Sequence, residues 1–175
     1  MRCPVRGNQE GGVRVSKNIL VVYKKNFEDV HDDALDIVKN TLEKIGEDLD
    51  INVNYSAREK VSREDFIERD LVVVLGGDGT LTSIAHSVDE NTPVMGVNSH
   101  PRDMDNDGSY GFYMGSDPIN FKEDIQKALS NNAIVNILPR LQAEISTTSG
   151  NIIRSDPALN DLLLANTHQY QPSKY

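Results

Sequence analysis

The stretch LVVVLGGDGTLTSIAHSV, residues 71–88, decides how this sequence folds. Its apolar start runs into the letters GGDG (76–79), and an Asp-Gly pair of this kind is common in the turn of a β-hairpin. A hairpin requires apolar residues at every other position of a second strand after the turn. The apolar residues that follow are spaced three and four apart instead, at Leu81, Ile84, Ala85 and Val88. This spacing predicts a buried strand, a tight glycine loop and then a helix.

Strand-like and helical patterns alternate on both sides of this loop. Short apolar runs typical of strands lie at 18–25, 51–56, 71–77 and 92–99. Helical patterns lie at 28–50, at 62–70 with Ser62 as the N-cap, at 80–90, and at 116–132 with Ser116 or Asp117 as the N-cap. Strands without a polar face, separated by amphipathic helices, are typical of a parallel sheet covered on both sides. The sequence therefore predicts an α/β fold with a Rossmann-like parallel sheet flanked by helices.

The C-terminal part of the chain has a different pattern. Residues 135–166 contain two extended runs on either side of a turn at 149–151, with no helical pattern between them. This predicts an antiparallel hairpin, the first of a β-rich second domain. We therefore expect a flexible leader (1–17), an α/β nucleotide-binding domain (18–133) and the incomplete start of a β-rich C-terminal domain (134–175).

The composition limits the classes of partner. The net charge is −9 and the 18 Lys and Arg residues form no run, which argues against nucleic acid as a partner. No apolar stretch reaches the length of about 18 residues that a membrane span needs, and the start of the chain lacks the apolar core of a signal peptide. Cys3 is the single cysteine, which suits a reducing compartment. The expected location is the cytoplasm, without contact to membranes.

Several polar side chains outside the glycine loop are interpreted as ordinary surface residues. His86 is expected to be a partly exposed helical residue. The other histidines are scattered without the spacing of metal ligands, at His31, His100 and His168. A cluster of carboxylates is expected to be solvated loop charge, at Asp103, Asp105 and Asp107. No cluster of metal-ligating side chains is therefore predicted.

Two features of the C-terminal part keep alternative interpretations. Arg140 and Arg154 are expected to face each other across the hairpin. One of them would neutralise a phosphate, or else they are surface residues that pair with Glu144 or Asp156. The apolar run LLLA (162–165) is either core of a missing domain or an exposed interface.

The glycine loop has the position and composition of a phosphate-binding loop. Its backbone N–H groups and the positive end of the following helix dipole are expected at the carboxyl edge of the sheet. The loop is neither the dinucleotide fingerprint nor a Walker loop, because its glycines are spaced differently and no Lys follows. Without that Lys, phosphate charge is expected to need Mg²⁺ as well as the loop amides.

Asp78, among these glycines, has two open interpretations. As a functional residue it would hold Mg²⁺ or accept a proton from an attacking hydroxyl. As a structural residue it would only form the turn. A carboxylate beside bound phosphate would repel it unless it had one of these chemical roles, and this favours the functional interpretation.

Four segments occur in the order and approximate spacing of the NAD kinase family. They are GGDGT at 76–80, PVMGVNS at 93–99, GSYGFYMGSDP at 108–118 and PALNDLLLAN at 157–166. GGDGT alone is shared with lipid kinases and phosphofructokinases, but its combination with GVN and ALND is specific. The chain therefore resembles an NAD kinase over nearly its whole length. The resemblance implies transfer of the γ-phosphate of ATP to the adenosine 2′-hydroxyl of NAD, with a divalent metal such as Mg²⁺, to make NADP.

The resemblance also implies roles for individual residues. Asp78 matches the aspartate taken as the base for the 2′-hydroxyl, and Phe112 matches the aromatic residue that lies against the dinucleotide. Asn160 and Asp161 match the Asn-Glu pair that grips adenine and ribose hydroxyls. The residues expected to bind nucleotides are Gly76, Gly77, Gly79, Thr80, Asn98, Phe112, Asn160 and Asp161.

Three features depart from the family pattern. Asp161 is one methylene shorter than the family's Glu, which removes about 1.5 Å of reach. The link at 99–110 is longer than in most members, resembles the mitochondrial-type branch, and is either a lid or a tolerated insertion. The second domain, which in the family completes the NAD site and much of the oligomer interface, does not follow. A homo-oligomer is therefore expected only where that domain is present.

The departures keep two other functions open. The first is a truncated homologue that binds nucleotides without catalysis. The second is a kinase for lipids or small metabolites that shares the GGDGT loop. The matches to GVN and ALND favour an ATP-dependent NAD kinase over the lipid or small-metabolite kinase, and a reading frame that continues into a glycine-rich β domain would favour it over the non-catalytic homologue.

Overall fold

A computed structural model describes residues 16–25, 29–102, 108–163 and 165. Strands and helices alternate through most of this part of the chain. The elements are β1 (Lys17–Tyr23), α1 (Asp29–Asp48), β2 (Ile51–Ala57), a 3-10 helix (Arg63–Phe66), β3 (Leu71–Gly76), α2 (Asp78–Ile84), β4 (Val94–Asn98), α3 (Phe121–Leu129), β5 (Glu144–Ser146) and β6 (Ile152–Arg154). The predicted alternation is thus confirmed.

The first four strands form one parallel sheet in the order β2-β1-β3-β4. The chain moves outward from β1 to β2 and then crosses back to place β3 on the other side of β1. In open α/β sheets, ligands bind at the carboxyl ends of the strands where the order reverses in this way. The glycine loop follows β3 and therefore lies at this switch point. The predicted α/β class with a parallel sheet is confirmed.

Both faces of the sheet are covered, because successive residues of β1 and β3 point to opposite sides. One core joins α1 and α3 to the sheet through Ile19, Val21, Val38, Leu42, Val73, Leu75, Phe121 and Ile125. The other core joins α2 and the 3-10 helix to the opposite face through Leu20, Val22, Phe66, Val72, Val74, Leu81, Ile84 and Val88. Strands buried on two sides need apolar residues at every position, which explains the unbroken run in β3.

Helix starts and ends agree with the sequence pattern in one case and correct it in two. Ser62 caps the 3-10 helix in a reciprocal capping box with Asp65, as predicted. The predicted caps of α3 are wrong, since that helix begins at Phe121 behind Asn120. Asp117 instead accepts the N–H groups of Ile119 and Asn120 in a preceding turn, at 2.8 and 2.9 Å.

Helix α2 is shorter than the apolar spacing predicts. It ends at Ile84, and the chain continues as a turn through Ser87, whose N–H donates to the carbonyl of Ile84 at 2.9 Å. Val88 is still buried against the same core, so the spacing reported burial correctly beyond the end of the helix.

Strands β5 and β6 form the predicted antiparallel hairpin, with Glu144 opposite Arg154. Gly150 lies in the turn with φ of +86°, a conformation that favours glycine. The large apolar side chains of this part are exposed, at Ile145, Ile152, Ile153, Leu162 and Leu163. Among the described residues, no helix has the length and apolar character needed to cross a membrane.

The turn before β4 makes a prediction about acid stability. Asp89 accepts the N–H groups of Asn91 and Thr92, both at 2.8 Å, and these bonds, with the nearby charge of Arg140, lower the pKa of Asp89 from 3.8. A lowered folded-state pKa means that the stabilisation is present above the unfolded value and is lost as pH falls through the folded value. We expect the stability advantage over Asp89→Asn, less than about 1 kcal/mol for this exposed group, to be lost in urea titrations at acidic pH, as pH falls through the lowered folded-state pKa. An advantage that persisted there would contradict the prediction.

Candidate functional site

The carboxyl edge of the sheet gathers the segments that sequence analysis singled out. Gly76 ends β3 directly beside Asn98, which ends β4. Gly77 is the N-cap of α2 and Asp78 is its first residue. The strand pairing therefore brings GGDGT and GVN to adjacent positions, because the carboxyl ends of parallel strands share one edge.

Both carboxylate oxygens of Asp78 accept backbone hydrogen bonds from a segment more than thirty residues further along the chain. The Phe112 N–H donates to Oδ2 at 2.9 Å, and the Tyr113 N–H donates to Oδ1 at 2.7 Å. This arrangement fixes the carboxylate plane and ties the glycine loop to residues 109–113, the aromatic loop. Each oxygen keeps a second lone pair, so Asp78 can still accept a proton or a further hydrogen bond.

Asn98 holds the other end of the aromatic loop. Its Nδ2 donates to the Ser109 carbonyl at 3.0 Å, and its Oδ1 accepts from the Ser109 hydroxyl at 3.1 Å and from the His100 N–H at 3.2 Å. The side chain is buried and occupied by these bonds. Asn98 therefore holds the aromatic loop beside the site, and its contact with a nucleotide stays a prediction.

Gly111 fits between these two anchors because it has no side chain. Its φ is +65°, and a Cβ at this position would lie 2.6 Å from Asn98 Nδ2. The second glycine of the GSYGF segment, Gly111, is thus required both by its backbone conformation and by the lack of space for a side chain.

Phe112 projects from the aromatic loop into solvent, with 84% of its surface exposed. Its ring meets the Tyr113 ring edge-to-face at 5.0 Å, and Tyr113 itself packs against the α2 core. Tyr110 is also exposed, and the Arg102 guanidinium lies 4.4 Å from the centre of its ring. The loop therefore presents aromatic surface close to the carboxylate of Asp78.

The glycine loop is crowded on one side and open on the other. A Cβ on Gly76 would meet the buried Thr80 side chain, and one on Gly77 would lie 3.3 Å from the Ser109 hydroxyl. A Cβ on Gly79 would meet no atom within 4 Å. Open space beside Gly79 and Asp78 gives a ligand access to the start of α2, whereas Thr80 lies inside the protein.

Two histidines that are far apart in the sequence are neighbours in the fold. The rings of His31 and His100 stand edge-to-face with centres 6.2 Å apart. His31 Nδ1 and the Ser99 hydroxyl are 2.7 Å apart and buried, and the Ser99 N–H donates to the Gly76 carbonyl at 3.0 Å. The start of α1 is thereby tied to the ends of β3 and β4. His86 is exposed, as predicted, but it lies in the turn after α2 and not in a helix.

Asn160 and Asp161 follow Leu159, which packs against the core that includes α2. Both side chains are exposed, and Asn160 Nδ2 donates to Asp161 Oδ2 at 3.3 Å. They lie on the C-terminal segment, whereas Asp78 and the aromatic loop lie at the carboxyl edge of the parallel sheet.

The expected facing of Arg140 and Arg154 is wrong. Arg154 bonds the Glu144 carboxylate at 2.9 Å, which is one of the pairings expected for a surface arginine. Arg140 instead reaches back to the end of α2 and donates to the carbonyls of Ala85 and Val88, both at 2.7 Å. Asp156 pairs with Arg63, at 3.2 Å.

The described residues of the site fit a metal ion only when nucleotide phosphates supply the other ligands. Within the described ranges, no three His, Cys, Asp or Glu side chains come together in a group that could hold an ion. Mg²⁺ commonly binds through one or two carboxylates together with substrate phosphates. Asp78, with its remaining lone pairs beside the open side of the loop, fits such a partial ligand set.

Comparison with known proteins identifies the family. Residues 23–133 match the model described as the ATP-NAD kinase N-terminal domain. The chain belongs to the NAD kinase family. This confirms the resemblance found in the sequence and the expectation of a nucleotide-binding fold of the Rossmann type.

Individual relatives agree with this family. The chain is 34% identical over 96 residues to an NAD kinase of Pseudomonas fluorescens (strain SBW25), covering 54% of this chain and 29% of that one. It is 24% identical over 163 residues to a probable NADH kinase of Oryza sativa subsp. japonica, covering 87% and 47%. The fold is similar to an NAD kinase from Archaeoglobus fulgidus solved in complex with ATP, with a TM-score of 0.51 and 19% identity over 76% of this chain and 44% of that one. The aligned part thus spans less than half of each relative.

Sequence reasoning missed several residues that build the site of this NAD kinase family member. Ser109, Tyr113, His31 and Ser99 act through contacts with residues far away in sequence, and only the position of Ser109 and Tyr113 beside GF gave a signal. The cluster Asp103, Asp105 and Asp107, and also His168, lie outside the described residues.

Proposed function

We propose that this chain carries the phosphoryl-transfer centre of an enzyme that moves the γ-phosphate of ATP to the adenosine 2′-hydroxyl of NAD, forming NADP. The observation that carries the proposal is the carboxylate of Asp78, held by two N–H groups beside the open side of the glycine loop. Family membership supports the choice of nucleotides as substrates.

Asp78 is proposed as the general base for the attacking hydroxyl. A general base must be ionised and fixed within hydrogen-bond reach of the proton that it accepts. The Phe112 and Tyr113 N–H groups fix the orientation of the carboxylate, one bond to each oxygen. The unused lone pairs of Asp78 then accept the hydroxyl proton while the oxygen attacks the γ-phosphorus in line, the bond from the γ-phosphorus to the β,γ-bridging oxygen breaks, and ADP leaves.

The glycine loop is proposed to hold the donor phosphates. Backbone N–H groups at the start of a helix lack intrahelical partners and suit phosphate oxygens, and a Cβ on Gly79, near the start of α2, would meet no atom within 4 Å. Mg²⁺ bound with ATP would neutralise charge on the transferred group. The chain supplies position and electrostatic complementarity, which are the main sources of rate in phosphoryl transfer.

The acceptor side is proposed to comprise Phe112, Asn160 and Asp161. The exposed ring of Phe112 offers a surface for the dinucleotide. The exposed amide and carboxylate of Asn160 and Asp161 offer donors and acceptors for adenine and ribose groups. These residues lie on two different segments, so their spacing depends on how the C-terminal segment packs on α2.

Gly79→Ala is expected to weaken ATP binding about tenfold without loss of stability. The added methyl group meets no protein atom within 4 Å and occupies the space in which phosphate would approach. Isothermal titration with Mg-ATP and a urea titration measure the two effects. Gly46→Ala, in α1 with only ordinary contacts to Ile51, is the matched control. Unchanged ATP binding by Gly79→Ala would show that the donor phosphates do not bind at this loop.

Turnover of NAD with ATP tests the proposed function directly. The chain as its gene encodes it is incubated with Mg-ATP and NAD, and NADP is measured with an NADP-specific dehydrogenase. Formation of NADP supports the proposal. Nucleotide binding without turnover would indicate a non-catalytic homologue, and transfer to diacylglycerol or sphingosine instead would indicate a lipid kinase.

A further inference from the structure

Arg140 makes a contact that neither the family motifs nor the sequence pattern explains. Its Nη1 donates to the carbonyls of Ala85 and Val88, both at 2.7 Å, where α2 has just ended. Carbonyls at a helix C-terminus lack intrahelical partners and carry the negative end of the helix dipole. A guanidinium that donates to the C-cap carbonyl of Ala85 and to the Val88 carbonyl in the following turn forms a charge-assisted link between segments more than fifty residues apart.

Leu141, the residue next to Arg140, connects this contact to the segment that bears the proposed acceptor-binding residues. Leu141 and Ala158 exchange a pair of backbone hydrogen bonds, each at 2.8 Å. Leu159 then packs on the core that contains Leu81 and Ile84 of α2. Asn160 and Asp161 follow immediately, so a polar cap and an apolar contact together fix the segment that bears them.

The other end of α2 bears Asp78. The helix has seven residues, which corresponds to a length of about 10 Å, and it is a rigid spacer on this scale. Arg140 donates hydrogen bonds at the C-terminal end of α2, and the phosphate-binding loop with the proposed base forms its N-terminal end. The Asn160–Asp161 pair and Asp78 are therefore connected through opposite ends of one short helix.

We propose that Arg140 is a positioning residue that sets the distance between the acceptor-binding pair Asn160–Asp161 and the phosphate loop. The inference rests on the proposed function, because it assigns these two residues to the dinucleotide. Arg140 touches neither nucleotide in this scheme and acts through the Leu141–Ala158 pairing. It is thus a determinant of acceptor affinity, separate from donor affinity.

The first test compares affinities for the two nucleotides. Arg140→Met is expected to raise the Kd for NAD by about tenfold, the usual scale for a charge-assisted hydrogen bond, and to change the Kd for Mg-ATP by less than about twofold. Arg140→Lys is expected to restore most of the NAD affinity, since a single nitrogen makes both bonds. Arg154→Met, which breaks the exposed pair with Glu144, is the control and is expected to change neither value. Equal losses for NAD and ATP would overturn the inference.

A double-mutant cycle shows whether Arg140 acts through the pair. In an Asn160→Ala background, Arg140→Met is expected to weaken NAD binding by less than about a further twofold, because the two residues belong to one unit. Full additivity would overturn the inference and leave the proposed function intact. If Asn160→Ala alone left NAD binding unchanged, the acceptor half of the proposed function would fail, and this inference with it.

Amide hydrogen exchange provides a readout that does not depend on nucleotides. In Arg140→Met, exchange at Leu141 and Ala158 is expected to accelerate at least about tenfold, while the amides of β3 stay protected. Unchanged exchange at Leu141 and Ala158 would overturn the anchoring role. If β3 also lost protection in Arg140→Met, Arg140→Lys would be compared with the unchanged chain instead. Its amide exchange and its NAD affinity are expected to be normal.

Discussion

Asp78→Asn is expected to lower the turnover of NAD to NADP by at least about 10²-fold, while the Kd for Mg-ATP changes by less than about tenfold. The amide cannot accept the hydroxyl proton, so the proposed base is lost. Stopped or coupled assays of NADP formation, together with titration of Mg-ATP, measure the two quantities. Near-normal turnover of the Asn variant would exclude Asp78 as the base.

The geometry adds a second reason for a large effect at this position. Asp78 uses one oxygen for each of the N–H groups of Phe112 and Tyr113, so an amide in its place must turn an NH₂ group toward one of these donors. Two facing donors leave a hydrogen bond unmade and loosen the aromatic loop. Ser109→Ala loosens the same loop but keeps the carboxylate, and we expect it to reduce turnover less than about tenfold.

A matched aspartate provides the control for Asp78→Asn. Asp117 also accepts two consecutive N–H groups, but both go to its Oδ1, which an asparagine oxygen can replace. Its Oδ2 accepts only from the exposed Asn120 amide, which can turn its own oxygen toward an asparagine NH₂ group. Asp117→Asn is therefore expected to retain turnover within about twofold. A similar large loss in both variants would indicate a general effect of removing a charge, and would remove the specific role of Asp78.

Gly111→Ala is expected to detach the aromatic loop and to lower the unfolding free energy by about 2–3 kcal/mol. A φ of +65° is strained for alanine, and the new Cβ would lie 2.6 Å from Asn98 Nδ2 and 3.1 Å from Met114 Cβ. Because this loop fixes the Asp78 carboxylate, NADP formation is expected to fall by about tenfold or more. Urea titration, amide exchange at Phe112 and Tyr113, and the turnover assay measure these effects.

Gly115→Ala is the control that distinguishes the effect of the Gly111 backbone conformation from the general effect of replacing a glycine by alanine. Gly115 follows the same segment, yet a Cβ there would meet no atom within 4 Å, and its φ is not in the left-handed region. We expect its stability and turnover to match those of the unchanged chain. A Gly111→Ala variant with the stability of Gly115→Ala would show that Asn98 and the loop move apart at little cost, and would contradict the two-anchor description of the loop.

Much of the fold is predictable here because each element carries its own local signal. The unbroken apolar run of β3 and the helical spacing after Thr80 report burial on two faces and on one face, respectively. The start of α3 was misjudged because Asp117 and Pro118 satisfy the usual signals for a helix start, while Asp117 in fact closes a separate turn. Several residues here can cap a turn or a helix equally well, and a local pattern does not rank them.

The candidate site is less predictable, since its side chains are joined by contacts over long sequence separations. The sequence placed Asp78 beside a phosphate-binding loop, but its two N–H donors come from 34 and 35 residues away. The motif predicts a nucleotide contact for Asn98 but carries no signal for its hydrogen bonds to Ser109 and His100. His31 and Ser99 are 68 residues apart and lie in direct contact.

By itself, the sequence determined the parallel α/β architecture, the position of the glycine loop at the carboxyl edge and the family to which the chain belongs. These follow from hydrophobic periodicity, glycine placement and motif order, which are properties of neighbouring residues. Only the tertiary structure decided that the aromatic loop holds both oxygens of Asp78 and that Arg140 caps α2. Hydrogen bonds of this kind depend on the path of the chain between distant segments, and that path is fixed by the packing of the whole domain.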